Sequence, residues 1–317
     1  MIFSKILGTG SYLPKNIVTN DDLAKKIDTS DEWIFSRTGI RERRIADETE
    51  TTGFMASEAM KNAFLDSKID ANQIDMIIVA TTTPELTLPS TACIVQGSVG
   101  AKNAVCFDIQ AVCSGFVYAM TIADSFIKSG RYKNIAVIGA DKNSNIVDWT
   151  DRSTCVLFGD GAGCVILSAS SEAGIIDHII ESDGSKYDIL CSQSGIGKDK
   201  MLGTIAMNGR EVFRYATEKM GSYPAILTER NGISVDDIKL FICHQANTRI
   251  ISYVYEKLGL DPAKFPITLD KHGNTSGASV PITLDYSIKN RLCKRGDYLI
   301  LQAVGAGMTS GAIFLKY

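Results

Sequence analysis

The chain has 317 residues, 45% of them hydrophobic, with 33 Lys and Arg against 36 Asp and Glu and a formal net charge of −3. That length suits one large domain or two ordinary ones, and the composition excludes a disordered chain. The slightly acidic balance gives no reason to expect nucleic acid, and no apolar run nears the ~18 residues of a membrane span.

In chain order, the opening MIFSKILGTGSYLPKN has too short an apolar run, broken by Gly and Pro, for a secretion signal. The cytoplasm is therefore the expected compartment. The β-rich runs MIIVATTT, NAVCFDI, NIAVIGAD, LFICHQ and YLILQAVGAG then alternate with helical stretches. That alternation predicts an α/β protein with mostly buried strands.

The second half of the chain echoes the first. IDANQIDMIIVATT resembles ISVDDIKLFICHQA, and AVCFDIQAVCSGFVYAM parallels FPITLDKHGNTSGASVPI. In the latter pair each segment is expected to hold a strand, an Asp (Asp108 or Asp270), a polar break and a helix. RYKNIAVIGAD parallels RGDYLILQAVGAG. A nearly constant offset is what a duplicated pair of halves produces, here residues 1–170 and 171–317. Packed about a pseudo-twofold axis, the halves bring equivalent strand-to-helix junctions together, where α/β folds place their ligands.

Eight cysteines occur without a CxxC pair, and His178, His244 and His272 share no ligand spacing with them, so no metal site is expected. Most of the cysteines read as small hydrophobes. Cys113 differs because it lies where a strand turns into a helix. The unpaired N–H groups of a helix start favour a thiolate, which marks Cys113 as the candidate nucleophile. On its own such a cysteine also reads as packing. His244 follows an apolar strand, and Asn274 lies in the LDKHGNTSGAS loop beside His272, Thr275 and Ser276. Taken singly, His244 reads equally as a capped core histidine and Asn274 as turn chemistry. AVGAGMTSGA adds a tight turn whose N–H groups are suited to face an oxyanion.

GTGSYLP, TSDEWI, RTGIRERRIA, TDR, FGDGAG, HQAN, RIIS, EKLG and LDKHGNTSGASVP occur in that order along the whole chain. In them the sequence resembles the bacterial β-ketoacyl-acyl carrier protein synthase III family, condensing enzymes that start fatty acid synthesis. The resemblance implies a thiolase fold of two similar halves in five αβαβα layers, usually as a homodimer. It implies a triad of Cys113, His244 and Asn274. The cysteine takes an acyl group from acyl-CoA and condenses it with malonyl-acyl carrier protein, with loss of CO2. Acyl-CoA is then a substrate, and no cofactor is permanently bound. The acyl-transfer oxyanion falls to the main-chain N–H groups of Cys113 and Ala306, the latter where the family usually has Gly.

By the same resemblance Trp33 and Arg152 sandwich the adenine of CoA, and Thr29, Arg37, Asn247 and Arg249 line the tunnel and phosphate path. Arg214, Arg249 and Lys257 match the dock for the acidic acyl carrier protein. Two positions depart from the family: Arg210 stands where an Asn often touches the CoA arm, and Glu256 where a basic residue often helps the dock. Leu88 stands where acetyl-specific members often have Phe closing the acyl pocket, often across the dimer interface. The missing second cysteine near the C-terminal turn argues against a thiolase. Three further readings are a condensing enzyme with another acyl acceptor, a non-catalytic carrier-binding homologue and a simple cysteine hydrolase.

Overall fold

The protein, seen here as a computed structural model, is described over residues 2–192, 194–195, 197–199 and 201–317. Its longer strands divide into two sheets that follow the two halves of the chain, and two short two-stranded ladders, Ile17–Thr19 with Glu42–Arg44 and Leu190–Ser192 with Ile205–Met207, lie outside them. The first sheet contains β1 (Phe3–Tyr12), β2 (Met76–Ala80), β3 (Val105–Ile109), β4 (Asn134–Asp141) and β5 (Gly161–Ser170), in the order β1-β5-β4-β2-β3. The second contains β6 (Ile175–Ser182), β7 (Ile238–Cys243), β8 (Tyr298–Gly305) and β9 (Thr309–Lys316), in the order β7-β8-β9-β6. β2 runs parallel to β4 and β3, and β7 runs parallel to β8. The remaining pairs are antiparallel. The order and sense of β6, β9, β8 and β7 thus repeat those of β1, β5, β4 and β2.

Alternation along each strand explains the layers, because successive side chains point to opposite faces. In β2, Met76, Ile78 and Ala80 pack into a central core, while Ile77 and Val79 face a second core beneath the Thr52–Ser67 and Thr91–Val99 helices. The central core also takes Leu240 and Ile242 of β7 and Leu299 and Leu301 of β8. Between the sheets lie the helices Gly115–Lys128 and Ser279–Lys289. Phe116, Met120, Ala123 and Ile127 of the first, spaced as one helical face, are fully buried there. Each large apolar side chain buried this way contributes about 1.5–3 kcal/mol. A third core under Gly209–Met220, Tyr223–Arg230 and Thr248–Leu258 covers the other face of the second sheet. The result is αβαβα.

One expected strand is replaced. FPITLD forms no strand, and Leu269–His272 is a short helix. Pro266 has no N–H to give a ladder. The buried Gln245 side chain takes over the pairing. Its amide donates to the carbonyls of Cys243 (2.9 Å) and Pro266 (3.3 Å), and its oxygen accepts from the N–H groups of Thr268 (3.0 Å) and Leu269 (3.3 Å).

Candidate active site

Cys113 sits in a single helical turn, Val112–Ser114, that leads directly into the Gly115–Lys128 helix. It is 6% exposed. The C-terminal turn presses against this junction, since a Cβ on Gly305 would lie 2.8 Å from the Cys113 nitrogen. That close approach brings the Cys113 and Ala306 backbones to one wall of a cavity of about 1350 Å³. His244 and Asn274, from the other half of the chain, line the same cavity.

Burial pushes Cys113 up to about 12, and the nearby Asp141 carboxyl acts in the same direction. The Ser276 hydroxyl, 3.6 Å from the sulfur, and the cysteine's own N–H oppose the shift. Enclosure of the sulfur thus works against the thiolate that a helix start favours.

His244 continues the β7 backbone and donates its N–H to the Gln302 carbonyl at 2.8 Å. Burial pulls its imidazole down to about 4, which keeps the ring uncharged at neutral pH. Nδ1 lies 2.6 Å from the Ser279 hydroxyl. That hydroxyl also accepts from the Gln245 N–H at 3.4 Å. With the hydroxyl donating to Nδ1, the ring proton sits on Nε2, the tautomer in which His244 is a neutral donor to the cavity.

Asn274 is held by its backbone to the start of the FGDGAG segment and the residue before it: its N–H donates to the Leu157 carbonyl, and its carbonyl accepts from the Gly159 N–H at 3.0 Å. Its side-chain oxygen accepts from the Ser276 N–H at 2.8 Å. The amide hydrogens remain for the cavity. His272, the rival histidine, lies outside the cavity lining, and burial together with Arg44 and Lys271 pushes it down to about 4.

Trp33, Arg37, Arg152 and Asn247 line the cavity's outer part. The Arg152 guanidinium stacks directly on the Trp33 ring at 4.7 Å, and Arg37 lies 4.9 Å from the same ring. Arg152 is anchored by a 2.7 Å bond to the Asp28 carbonyl. Asn247 caps the Thr248–Leu258 helix through the Arg249 N–H and donates to the Arg37 carbonyl at 3.0 Å.

Thr29 and Arg249 do not line the cavity. Arg249 lies 5.6 Å from the ring of Phe213, which does. Arg214 and Lys257 are exposed on two helices that pack together, with Arg214 bonded to Glu211 at 2.7 Å. Arg210 and Glu256 are exposed as well. Leu88 is 80% exposed and does not line its own chain's cavity, whereas Thr87 and Leu86 do. A role for Leu88 in an acyl pocket therefore requires a second copy of the chain.

Sequence reasoning left Ser279 and Gln245 without a role. Ser279 falls thirty-five residues after His244, and no local pattern connects the two. Gln245 adjoins His244, but its partners are across a proline-broken segment.

The fold and the cysteine at its centre define an acyltransferase of the thiolase architecture. Sequence comparison matches residues 107–184 to 3-oxoacyl-[acyl-carrier-protein (ACP)] synthase III and residues 228–317 to the C-terminal part of the same family. The β-ketoacyl-[acyl-carrier-protein] synthase III of Ehrlichia canis is 50% identical over 315 residues, covering 99% of each chain. That of Neisseria gonorrhoeae is 49% identical over 320 residues, covering 100% of each. The crystal structure of 3-oxoacyl-[acyl-carrier-protein] synthase III from Aquifex aeolicus superposes with a TM-score of 0.95 at 48% identity, covering 99% of this chain and all of that one. The chain belongs to the β-ketoacyl-acyl carrier protein synthase III family.

Proposed function

We propose that this enzyme primes type II fatty acid synthesis with Cys113 as its nucleophile and His244 and Asn274 as its donors. Cys113 attacks the acyl-CoA carbonyl, and the Cys113 and Ala306 N–H groups hold the oxyanion. A backbone donor is unaffected by Ala in place of Gly. Malonyl-acyl carrier protein then enters and loses CO2. The oxygen of its thioester gains enolate character, which the neutral Nε2–H and the Asn274 amide stabilise without taking up a proton. The carbanion attacks the acyl-cysteine to give the 3-oxoacyl-carrier product, with CoA and CO2 released.

The observation that carries this reading is the meeting of Cys113, His244 and Asn274, from opposite halves of the chain, in one cavity. Trp33 is the platform for the adenine once Arg152 lifts from the indole, and Arg37 sits beside it for phosphate. Thr29, Asn247 and Arg249 are assigned to the CoA path, and Arg214, Arg249 and Lys257 to the acidic carrier. The working unit is a homodimer in the cytoplasm, in which Leu88 reaches the partner's acyl pocket. Intact-mass analysis after mixing with acetyl-CoA tests the core of this reading. One acetyl group should be added, none should be added to Cys113→Ala, and malonyl-acyl carrier protein should discharge it. An adduct that persists in Cys113→Ala would overturn the assignment.

A further inference from the structure

Ser114 stands where the Gly115–Lys128 helix begins, the position at which a serine ordinarily bonds the helix's own free N–H groups. It makes no such bond. Its hydroxyl lies 2.8 Å from the Ala111 carbonyl and 2.7 Å from the Thr309 hydroxyl, 195 residues away in the chain. Thr309 opens β9, directly after the C-terminal turn. Its hydroxyl lies 3.0 Å from the same Ala111 carbonyl and 2.9 Å from the carbonyl of Ala306.

Two hydroxyl hydrogens serve these four contacts. With Ser114 donating to Thr309, the Thr309 hydrogen is left for the two carbonyls, which lie at nearly equal distances from its oxygen. One carbonyl belongs to the residue that leads into the Cys113 turn, and the other to Ala306 itself. Thr309 thus spans the gap between the two segments whose N–H groups face the thioester. Gly305 lies in the same gap, where a Cβ would stand 2.9 Å from the Ala111 oxygen. The backbone on the nucleophile's side is strained: Val112, between Ala111 and Cys113, has φ +48°. A β-branched residue in this left-handed region is costly, and such strain persists only where the surroundings enforce it. The hydroxyls bonded to Ala111 are part of that enforcement. Neither Ser114 nor Thr309 lines the cavity, so both act through the backbone. His244 and Asn274 are held by other partners, Ser279, Leu157 and Gly159.

We propose that Thr309, supported by Ser114, is the positioning residue of the oxyanion site. The proposal rests on the reading of the Cys113 and Ala306 N–H groups as the acyl-transfer donors. The threonine hydroxyl sets the distance between those two N–H groups, and so sets how strongly a thioester oxygen between them is polarised. Without it, two carbonyls of like partial charge face each other across the gap with no hydrogen between them. They move apart, and the two donors part with them. The effect falls on the steps that place charge on the acyl oxygen, which are transfer from CoA to Cys113 and attack on the acyl-cysteine. Trp33 and Arg37 line the cavity's outer part, so binding of the CoA arm is spared.

The test uses the full-length enzyme with carbonyl-labelled acetyl-CoA and no malonyl donor, so that acyl-enzyme accumulates. Thr309→Val keeps the branched shape and removes the hydroxyl. Its burst of CoA release at saturating acetyl-CoA should slow about 10–100-fold, the scale on which a displaced oxyanion donor acts. The half-saturating concentration should stay within about threefold of wild type. In isotope-edited infrared difference spectra the acyl-enzyme carbonyl band should lie at higher frequency than in wild type, because its oxygen is less polarised. Thr309→Ser restores the hydroxyl and should return the burst and the band to wild type, which a general loosening of the fold would not do. Should Thr309→Val fail to fold, Thr309→Ala carries the same expectations. A folded variant with an unshifted band and a burst within about threefold of wild type would overturn the positioning role, as would an equal loss in Thr309→Ser. A wild-type carbonyl band identical to that of acid-unfolded acyl-enzyme would overturn the two-donor reading as well. Absence of any adduct on Cys113 would overturn the nucleophile and everything built on it.

Discussion

Gly305 is the position where one methyl group should disable acyl transfer most directly. A Cβ there would meet three main-chain atoms: the Cys113 nitrogen at 2.8 Å and the Ala111 oxygen and Ser114 nitrogen at 2.9 Å each. Ordinary contact needs about 3.5 Å, so the C-terminal turn must withdraw by roughly 0.6 Å from the turn that carries the nucleophile. Neither side can yield by rotating a side chain, because every obstructing atom is backbone. Overpacking of this kind costs about 1–3 kcal/mol of stability. The withdrawal separates the Cys113 N–H from the Ala306 N–H, and misplacement on the order of 1 Å costs about 100-fold in rate. Gly305→Ala should therefore remain folded, melt several degrees lower, and release CoA in a burst slowed by roughly 30–100-fold. Rapid-quench measurement of CoA release, with calorimetry on the same preparation, checks both numbers. A folded variant acylating within about threefold of wild type would refute the two-donor wall.

His244→Ala and Asn274→Ala should each keep most of the acetylation of Cys113 and lose malonyl decarboxylation by about 100-fold or more, read as labelled CO2 release. If His244→Ala blocked acetylation alone, the division of labour would be reversed. Trp33→Ala should raise KM for acetyl-CoA by about tenfold with kcat nearly unchanged, since base stacking contributes about 1–3 kcal/mol. Acid should destabilise the fold through its buried histidines. His244 and His272 titrate at about 4 when folded, against about 6.5 when unfolded. Below 6.5 the unfolded chain binds the extra protons, so this contribution is intact above pH 6.5 and is lost as pH falls toward 4. The loss is of order 3 kcal/mol for His244, and urea midpoints across that range should be less pH-dependent in His272→Gln.

Much of this architecture was legible because it rests on short-range patterns. The apolar runs of β2, β4, β7 and β8 announce buried strands, and their repeat across the chain gives the two halves. His244 was legible because it follows such a run, and Cys113 because it lies where the strand β3 gives way to a helix. Asp141 also ends one, in NIAVIGAD, but a sequence does not say that an acid at a strand end will be buried beside a thiol 28 residues away in the chain. The thiol's upward shift was hidden for a related reason. A helix start can be seen locally, while the enclosure that outweighs it comes from both halves. Ser279 and Gln245 act through side-chain bonds to distant backbone, and no periodicity records those. The stacking of Arg152 on Trp33 depends on the Asp28 carbonyl that holds the guanidinium, a contact spanning more than a hundred residues.

Gln245 gives the two halves unequal mechanical characters. In the first half, β3 is tied into its sheet residue by residue, so a disturbance there is shared along a ladder. In the second half, the corresponding segment has no ladder and is tied by separate contacts, among them the Thr268–Thr283 hydroxyl pair, the Asp270 carbonyl and the Gln245 amide, which belongs to the neighbour of His244. Damage at Gln245 would reach both the histidine beside it and the segment that leads into the asparagine loop, so one side chain links the two donors mechanically.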